Sequence, residues 1–173
     1  VAKEMYTFED RGGDSVTLDL AQATDGESIK AGIQVLENLV MFKKDSMDVE
    51  PQLATSWTVS PDGLVWTFKL RQGVKFHDGT PFNANAVKVS FDRVIDKSHP
   101  FYKYGTWRYP ALGLGPVKEV TVVDEYTVAL RTDKPYAPLV ANLALWLCPI
   151  LSPAAIEAQK ENIGRNPVGT GPY

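Results

Sequence analysis

The chain has 173 residues, 44% of them hydrophobic and 10% aromatic, enough for a packed core and too apolar for a disordered tail. Lys and Arg number 18 against 21 Asp and Glu, and the net charge of -3 excludes nucleic acid as a main partner and any polybasic membrane patch. The lone cysteine, Cys148, excludes an internal disulfide, and the longest apolar stretch, 137–151, is interrupted by Pro138, Asn142 and Pro149 and falls short of the ~20 residues of a membrane span.

Residues 6–9 and 16–20 read as short strands around the turn Arg11-Gly12-Gly13-Asp14. A helix follows, with Asp25 as N-cap, Ile29, Ile33, Leu36 and Val40 on one stripe, and Gly32 as a close-packing point. The polar run Lys43-Lys44-Asp45-Ser46 is a candidate boundary between two subdomains. Residues 53–59 and 64–70 form a hairpin over Ser60-Pro61-Asp62-Gly63, with Leu64, Trp66, Phe68 and Leu70 sharing one face.

Gln72-Gly73 turns the chain into Val74-Lys75-Phe76, and His77-Asp78-Gly79-Thr80-Pro81 must be a loop because Gly and Pro break both regular periods. Asn83 then caps a helix whose Val87, Phe91, Val94 and Ile95 make an apolar stripe, ending near Asp96. Residues 98–116 are irregular, punctuated by Pro and Gly. A hairpin of 117–123 and 126–131 turns over Asp124-Glu125. Residues 137–146 read as helical, with Leu139, Leu143 and Trp146 on one face, and Pro153 opens a last short helix reaching toward Gly164. With no regular βαβ alternation, these elements predict an α/β fold, a small mixed sheet with helices packed on it.

The segment WTFKLRQGVKFHDGTPFNANAVKVSFDRV resembles the signature of the family 5 extracellular solute-binding proteins, the receptors of ABC importers for oligopeptides, dipeptides and nickel chelates. GGDSVTLDLAQATDGES and PQLATSWTVSPDGL resemble that family's first strand, cleft-side loop and lead-in, and NPVGTGPY its return toward the larger lobe. The resemblance covers nearly the whole chain except 98–116, and it departs from the family where Asn85 replaces an acid in the first helical turn. It implies a type II periplasmic-binding-protein-like fold, of which this chain is an excised N-terminal fragment holding part of the first lobe only. Residues 1–45 would belong to the larger lobe, 46–165 to a small mixed α/β subdomain, and 166–173 to a hinge-like return segment. It further implies capture of a peptide or similar small solute outside the cytoplasm, delivery to membrane permease subunits, a monomer when full length, and neither catalysis nor a cofactor. An exported protein of this kind would have lost its signal segment.

Within the aromatic loop, Tyr104, Trp107 and Arg108 are candidates to sandwich a ligand and pair its carboxylate, beside Phe101, Tyr102, Lys103 and Tyr109. A self-packed loop is the alternative for the same rings. Gly26, Glu27 and Ser28 open a helix whose N-terminal N–H groups suit an anion or a plain cap, and the resemblance lifts them and Trp146 to ligand-contact candidates. Gly169, Thr170, Gly171 and Pro172 suit a hinge, since two glycines flanking a small residue allow torsional change between lobes. Hydrolysis through His77, Asp78 and a distant Ser90 is a remote alternative, as is a metal shared by His77 and His99. The remaining rival is a relative of the family acting as a sensor or chaperone-like binding module without transport.

Overall fold

The computed structural model describes residues 14–105, 107 and 112–173. The strand expected at 6–9 and the residues Arg108 and Tyr109 lie outside the described residues.

The expected strand at 16–20 does not join a ladder. Its amides go elsewhere: those of Val16 and Thr17 donate to Ser28 Oγ, at 3.0 and 3.1 Å, and that of Leu18 donates to the Gly164 carbonyl at 2.7 Å. A backbone satisfied by a side chain and a distant loop has no need of a neighbouring strand. Helix α1 (Gly26–Val35) starts where the Asp25 carboxylate accepts the Ser28 amide at 2.8 Å. Gly32 is the close-packing point expected, because a Cβ there would stand 2.3 Å from Leu20 Cδ2. The helix stops before Val40, which belongs to β1 (Val40–Phe42), since Glu37 is drawn into a bridge with Ile150. Strand β1 pairs antiparallel with β2 (Val49–Pro51), and the polar run 43–46 lies in the connection between them.

The main sheet is antiparallel, in the order β3 (Ala54–Val59), β4 (Val65–Leu70), β6 (Thr127–Thr132), β5 (Val117–Asp124). Gly63 and Gly73 take φ values of 73° and 75°, which a side chain would resist, and they close the two turns flanking β4. Register places Phe68 opposite Val128 and Trp66 opposite Leu130. This face packs on helix α2 (Ala84–Ile95), whose Asn83 cap accepts the amides of Asn85 and Ala86 and whose Val87, Phe91 and Val94 are buried. Full burial of Phe68, Phe82 and Phe91 contributes ~1.5–3 kcal/mol each.

Helix α3 (Leu139–Leu143) is shorter than the 137–146 expected. Beyond it the chain runs in tight turns, the amides of Ala144, Leu145 and Cys148 each donating to a carbonyl three residues back, and the Leu145 carbonyl, which has Pro149 and no N–H four residues on, also accepts from Asn38 Nδ2 at 2.8 Å. Helix α4 (Pro153–Gln159) is capped by Ser152 and followed by a single 3-10 turn at Lys160–Asn162.

The core divides in two. One cluster lies between the sheet, α2 and α3, while a smaller one gathers Leu20, Ala23, Leu36, Leu151, Ala155, Ile156 and Ile163.

Candidate functional site

The expected contact residues fall into two groups. At the start of α1, Gly26 is exposed, and a Cβ on it would meet nothing within 4 Å. Glu27 is half-buried and pairs with Lys30 at 3.0 Å. Ser28 departs from the expectation: it is 0% exposed, and its hydroxyl is occupied by the amides of Val16 and Thr17. It shapes the site from inside and presents no side chain to a ligand. The Ser28 amide, then its hydroxyl, hold the Asp25 carboxyl below its ordinary value by hydrogen bonding, so the negative charge stays at the helix's positive end.

One helical face away, Ile29, Ile33 and Leu36 border an open hollow of about 400 Å³, closed on its other sides by Leu20, Met41, Asn38, Gln52, Ala144 and Trp146. Ile33 remains 49% exposed and Met41 39% exposed, so the hollow is an apolar flank that the described residues leave uncovered. Trp146 lies in its wall rather than on the buried face of α3, and its indole Nε1 has no hydrogen-bond partner among the described residues.

The second group is the aromatic loop. Trp107 donates Nε1–H to the Tyr102 carbonyl at 3.1 Å, and it covers Gly105 so closely that a Cβ there would stand 2.1 Å from the indole. Tyr104 stacks near Phe101, with centroids 6.4 Å apart, under the Lys103 ammonium. These rings pack on one another and on the protein, as the self-packed alternative required, and both Tyr104 and Trp107 keep part of their surface open.

Beneath Trp107 lies a contact the sequence reading missed. Arg93 places its guanidinium 5.1 Å from the Trp107 ring and forms a bidentate pair with Asp19, at 2.7 and 2.8 Å, both side chains almost completely buried. Burial alone would push the Asp19 carboxyl up, but the Arg93 charge and its two hydrogen bonds outweigh it and hold the group ionised, below its ordinary value. The available signal was a second helical stripe, Ala86, Ser90 and Arg93, spaced by four and three residues and buried throughout.

The return segment 168–171 is pinned against the rest of the fold. Gly169 donates to His77 Nδ1 at 3.4 Å and accepts from the His77 amide at 3.0 Å, while His77 Nε2 reaches the Gly171 carbonyl at 2.7 Å. Both bonds are satisfied by the tautomer carrying its proton on Nε2. Thr170 donates to Glu37 at 2.7 Å, and Gly171 donates to the Val35 carbonyl at 3.0 Å. A Cβ on Gly169 would stand 2.1 Å from the Val35 oxygen and one on Gly171 2.6 Å from the Gln34 oxygen. These glycines therefore have a packing reason, close backbone approach, in addition to the torsional freedom expected of a hinge at 169–172.

The catalytic alternative does not assemble. Ser90 Oγ is buried and exchanges hydrogen bonds with the Leu151 backbone, His77 is committed to residues 169 and 171, and Asp78 accepts from Ser152 and Thr80. His99 does not join His77: its Nδ1 accepts the Phe101 amide at 3.3 Å, and burial pushes its imidazole below the ordinary value against the opposing pull of Asp92 and Asp96. Among the described residues no three His, Cys, Asp or Glu side chains gather as a metal site.

Residues 48–173 match the family described as bacterial extracellular solute-binding proteins, family 5 Middle. The chain is 36% identical over 162 residues to the glutathione-binding protein GsiB of Escherichia coli O1:K1 / APEC, covering 94% of this chain and 30% of that protein. It is 39% identical over 165 residues to heme-binding protein A of Haemophilus influenzae, covering 86% and 30% respectively. In three dimensions it superposes on the periplasmic binding protein DppA from Helicobacter pylori in complex with peptide STSA, at TM-score 0.84 and 38% identity, over 93% of this chain and 34% of that one. The chain thus spans about 30% of the length of the curated relatives it matches.

Proposed function

The chain belongs to the family 5 bacterial extracellular solute-binding proteins, and on that premise we propose that it is the first part of the binding component of an ABC importer, capturing a peptide or similar small solute outside the cytoplasm. The observation that carries this reading is the uncovered apolar flank of Ile29, Ile33, Met41 and Trp146 beside the start of α1. A second lobe shutting against it would bury that surface and enclose a ligand. Closure of this kind is driven by the ligand's preference for the closed form, without covalent chemistry.

In this reading residues 1–45 and 166–173 serve the larger lobe and 46–165 the small subdomain. Gly26, Glu27, Trp146, Tyr104 and Trp107 stand at or near the ligand surface, with Arg108 beside them in the chain. The partners are the solute and the membrane permease, and no helix among the described residues is long and apolar enough to cross a membrane. The compartment is the periplasm or an outer cell surface.

The test is thermal denaturation of the full-length protein with glutathione, peptide STSA, heme and a mixture of di- and oligopeptides. Binding to the native state raises the melting temperature, with about 2.7 kcal/mol of stabilisation at a ligand concentration 100 times Kd. A flat response to every probe overturns the proposal. Residues 1–173 alone should bind weakly, and micromolar or tighter affinity for this piece would contradict the two-lobed enclosure.

A further inference from the structure

We propose that Arg93 is the positioning residue of the aromatic loop, keying residues 101–107 to the segment that leads into α1. This rests on reading those two elements as parts of one ligand surface. The guanidinium is planar and makes two contacts of different chemistry. It is held by Asp19, through two hydrogen bonds of 2.7 and 2.8 Å, which fix the plane's orientation. It also lies over Trp107, with its central carbon 5.1 Å from the ring centroid. Lysine could supply the charge but neither the fork nor the flat face.

Each end of this chain of contacts is anchored. Asp19 also accepts Gln22 Nε2 at 2.8 Å, and its neighbours Val16 and Thr17 hang from Ser28 in α1. Trp107 is bonded to the Tyr102 carbonyl and fills the space over Gly105, so the amides of Tyr102, Tyr104 and Gly105, each hydrogen-bonded to a carbonyl three residues back, are folded beside it. Displacing the guanidinium removes the surface on which Trp107 rests and leaves the loop joined to the cluster around Leu20 through the apolar packing of Phe101, which lacks the directionality of the ion pair. Arg93 itself is 2% exposed and cannot touch a ligand, so its effect on binding must pass through the loop.

The experiment uses the full-length protein with Arg93→Lys, Trp107→Leu and the double variant. Arg93→Lys is expected to melt cooperatively and to speed amide exchange at Tyr102, Tyr104 and Gly105 at least tenfold, leaving β4 and the first turns of α2 unchanged. Its tryptophan emission should change in the parent background and not in the Trp107→Leu background. That non-additivity is one a general loss of stability would not produce. Affinity for glutathione or peptide STSA, the two probes used, should fall at least tenfold in Arg93→Lys and in Trp107→Leu. Should Arg93→Lys fail to fold, Trp107→Leu, which leaves the buried ion pair intact, carries the exchange and affinity arms. Unchanged loop exchange overturns the proposal, and so does faster exchange with unchanged affinity. If the parent protein binds neither probe, the exchange and emission results alone decide the positioning role, and the ligand-binding reading is what has failed.

Discussion

Gly169→Ala tests whether the return segment is seated by close approach. The added Cβ would stand 2.1 Å from the Val35 carbonyl oxygen and 2.9 Å from its carbonyl carbon, both backbone atoms at the end of α1 with no rotamer to change. The segment must therefore move outward by about 1 Å to restore ordinary contact. Among the hydrogen bonds that depend on its present place are three at His77: Gly169 with His77 in both directions, and His77 Nε2 with Gly171. At about 0.5–1.5 kcal/mol each, their loss sums to ~1.5–4.5 kcal/mol, a large share of a domain's stability. Gly26→Ala is the control, because that site is open and alanine is the better helix former, so stability should hold or rise by up to ~1 kcal/mol. Urea unfolding of the two variants reads both numbers. A Gly169→Ala midpoint within experimental error of the parent, at unchanged m-value, would refute the argument.

Acid should act through Asp19. Its folded-state value is depressed, so it contributes stability that is present above its unfolded value of about 3.9 and is lost as pH falls through the lower folded value. Asp19→Asn should cost ~3–5 kcal/mol at neutral pH by stranding buried Arg93, and its stability should fall less steeply than the parent's below pH 4; parallel curves would contradict the assignment. Cys148 should resist a thiol reagent such as DTNB at pH 8 until the chain unfolds, because complete burial pushes its thiol up; rapid labelling of the folded protein would show that the 145–150 turns open.

The elements that the sequence made legible are those settled by local chemistry. Asp25 and Asn83 cap because their side chains reach amides two and three residues on, and Gly63 turns because φ of 73° suits no side chain. The first hairpin follows from alternation beside that turn and the second from its β-branched residues on either side of Asp124-Glu125, and the fold expected from the resemblance is the one that superposes on a periplasmic binding protein. What was not legible depends on residues far apart in the chain. The strand expected at 16–20 failed because Ser28 and Gly164 took its amides, while the helix expected at 137–146 stops at Leu143, where the amides of Ala144 and Leu145 bond three residues back. The site divides the same way. Trp146 was singled out from the resemblance and lies in the wall of the hollow beside α1, whereas nothing local says that Arg93 faces Asp19, 74 residues earlier.

These long-range contacts share one location, and that explains their polarity. The sheet cluster and the smaller cluster around Leu20, Leu36 and Ile156 meet along a seam crossed by Asp19 with Arg93, Ser90 with Leu151, Asp78 with Ser152, and His77 with Gly169 and Gly171. Apolar contacts are non-directional, so a displaced pair can find new neighbours without leaving a polar group unpaired. A bidentate pair at 2.7 and 2.8 Å has no such freedom, because displacing it strands a buried charge. Four directional contacts along one seam therefore admit a single register. The aromatic loop over Arg93 and the α1 start beyond Asp19 are held in mutual place by that register, with Phe101 and Ile29 packed on the same small cluster.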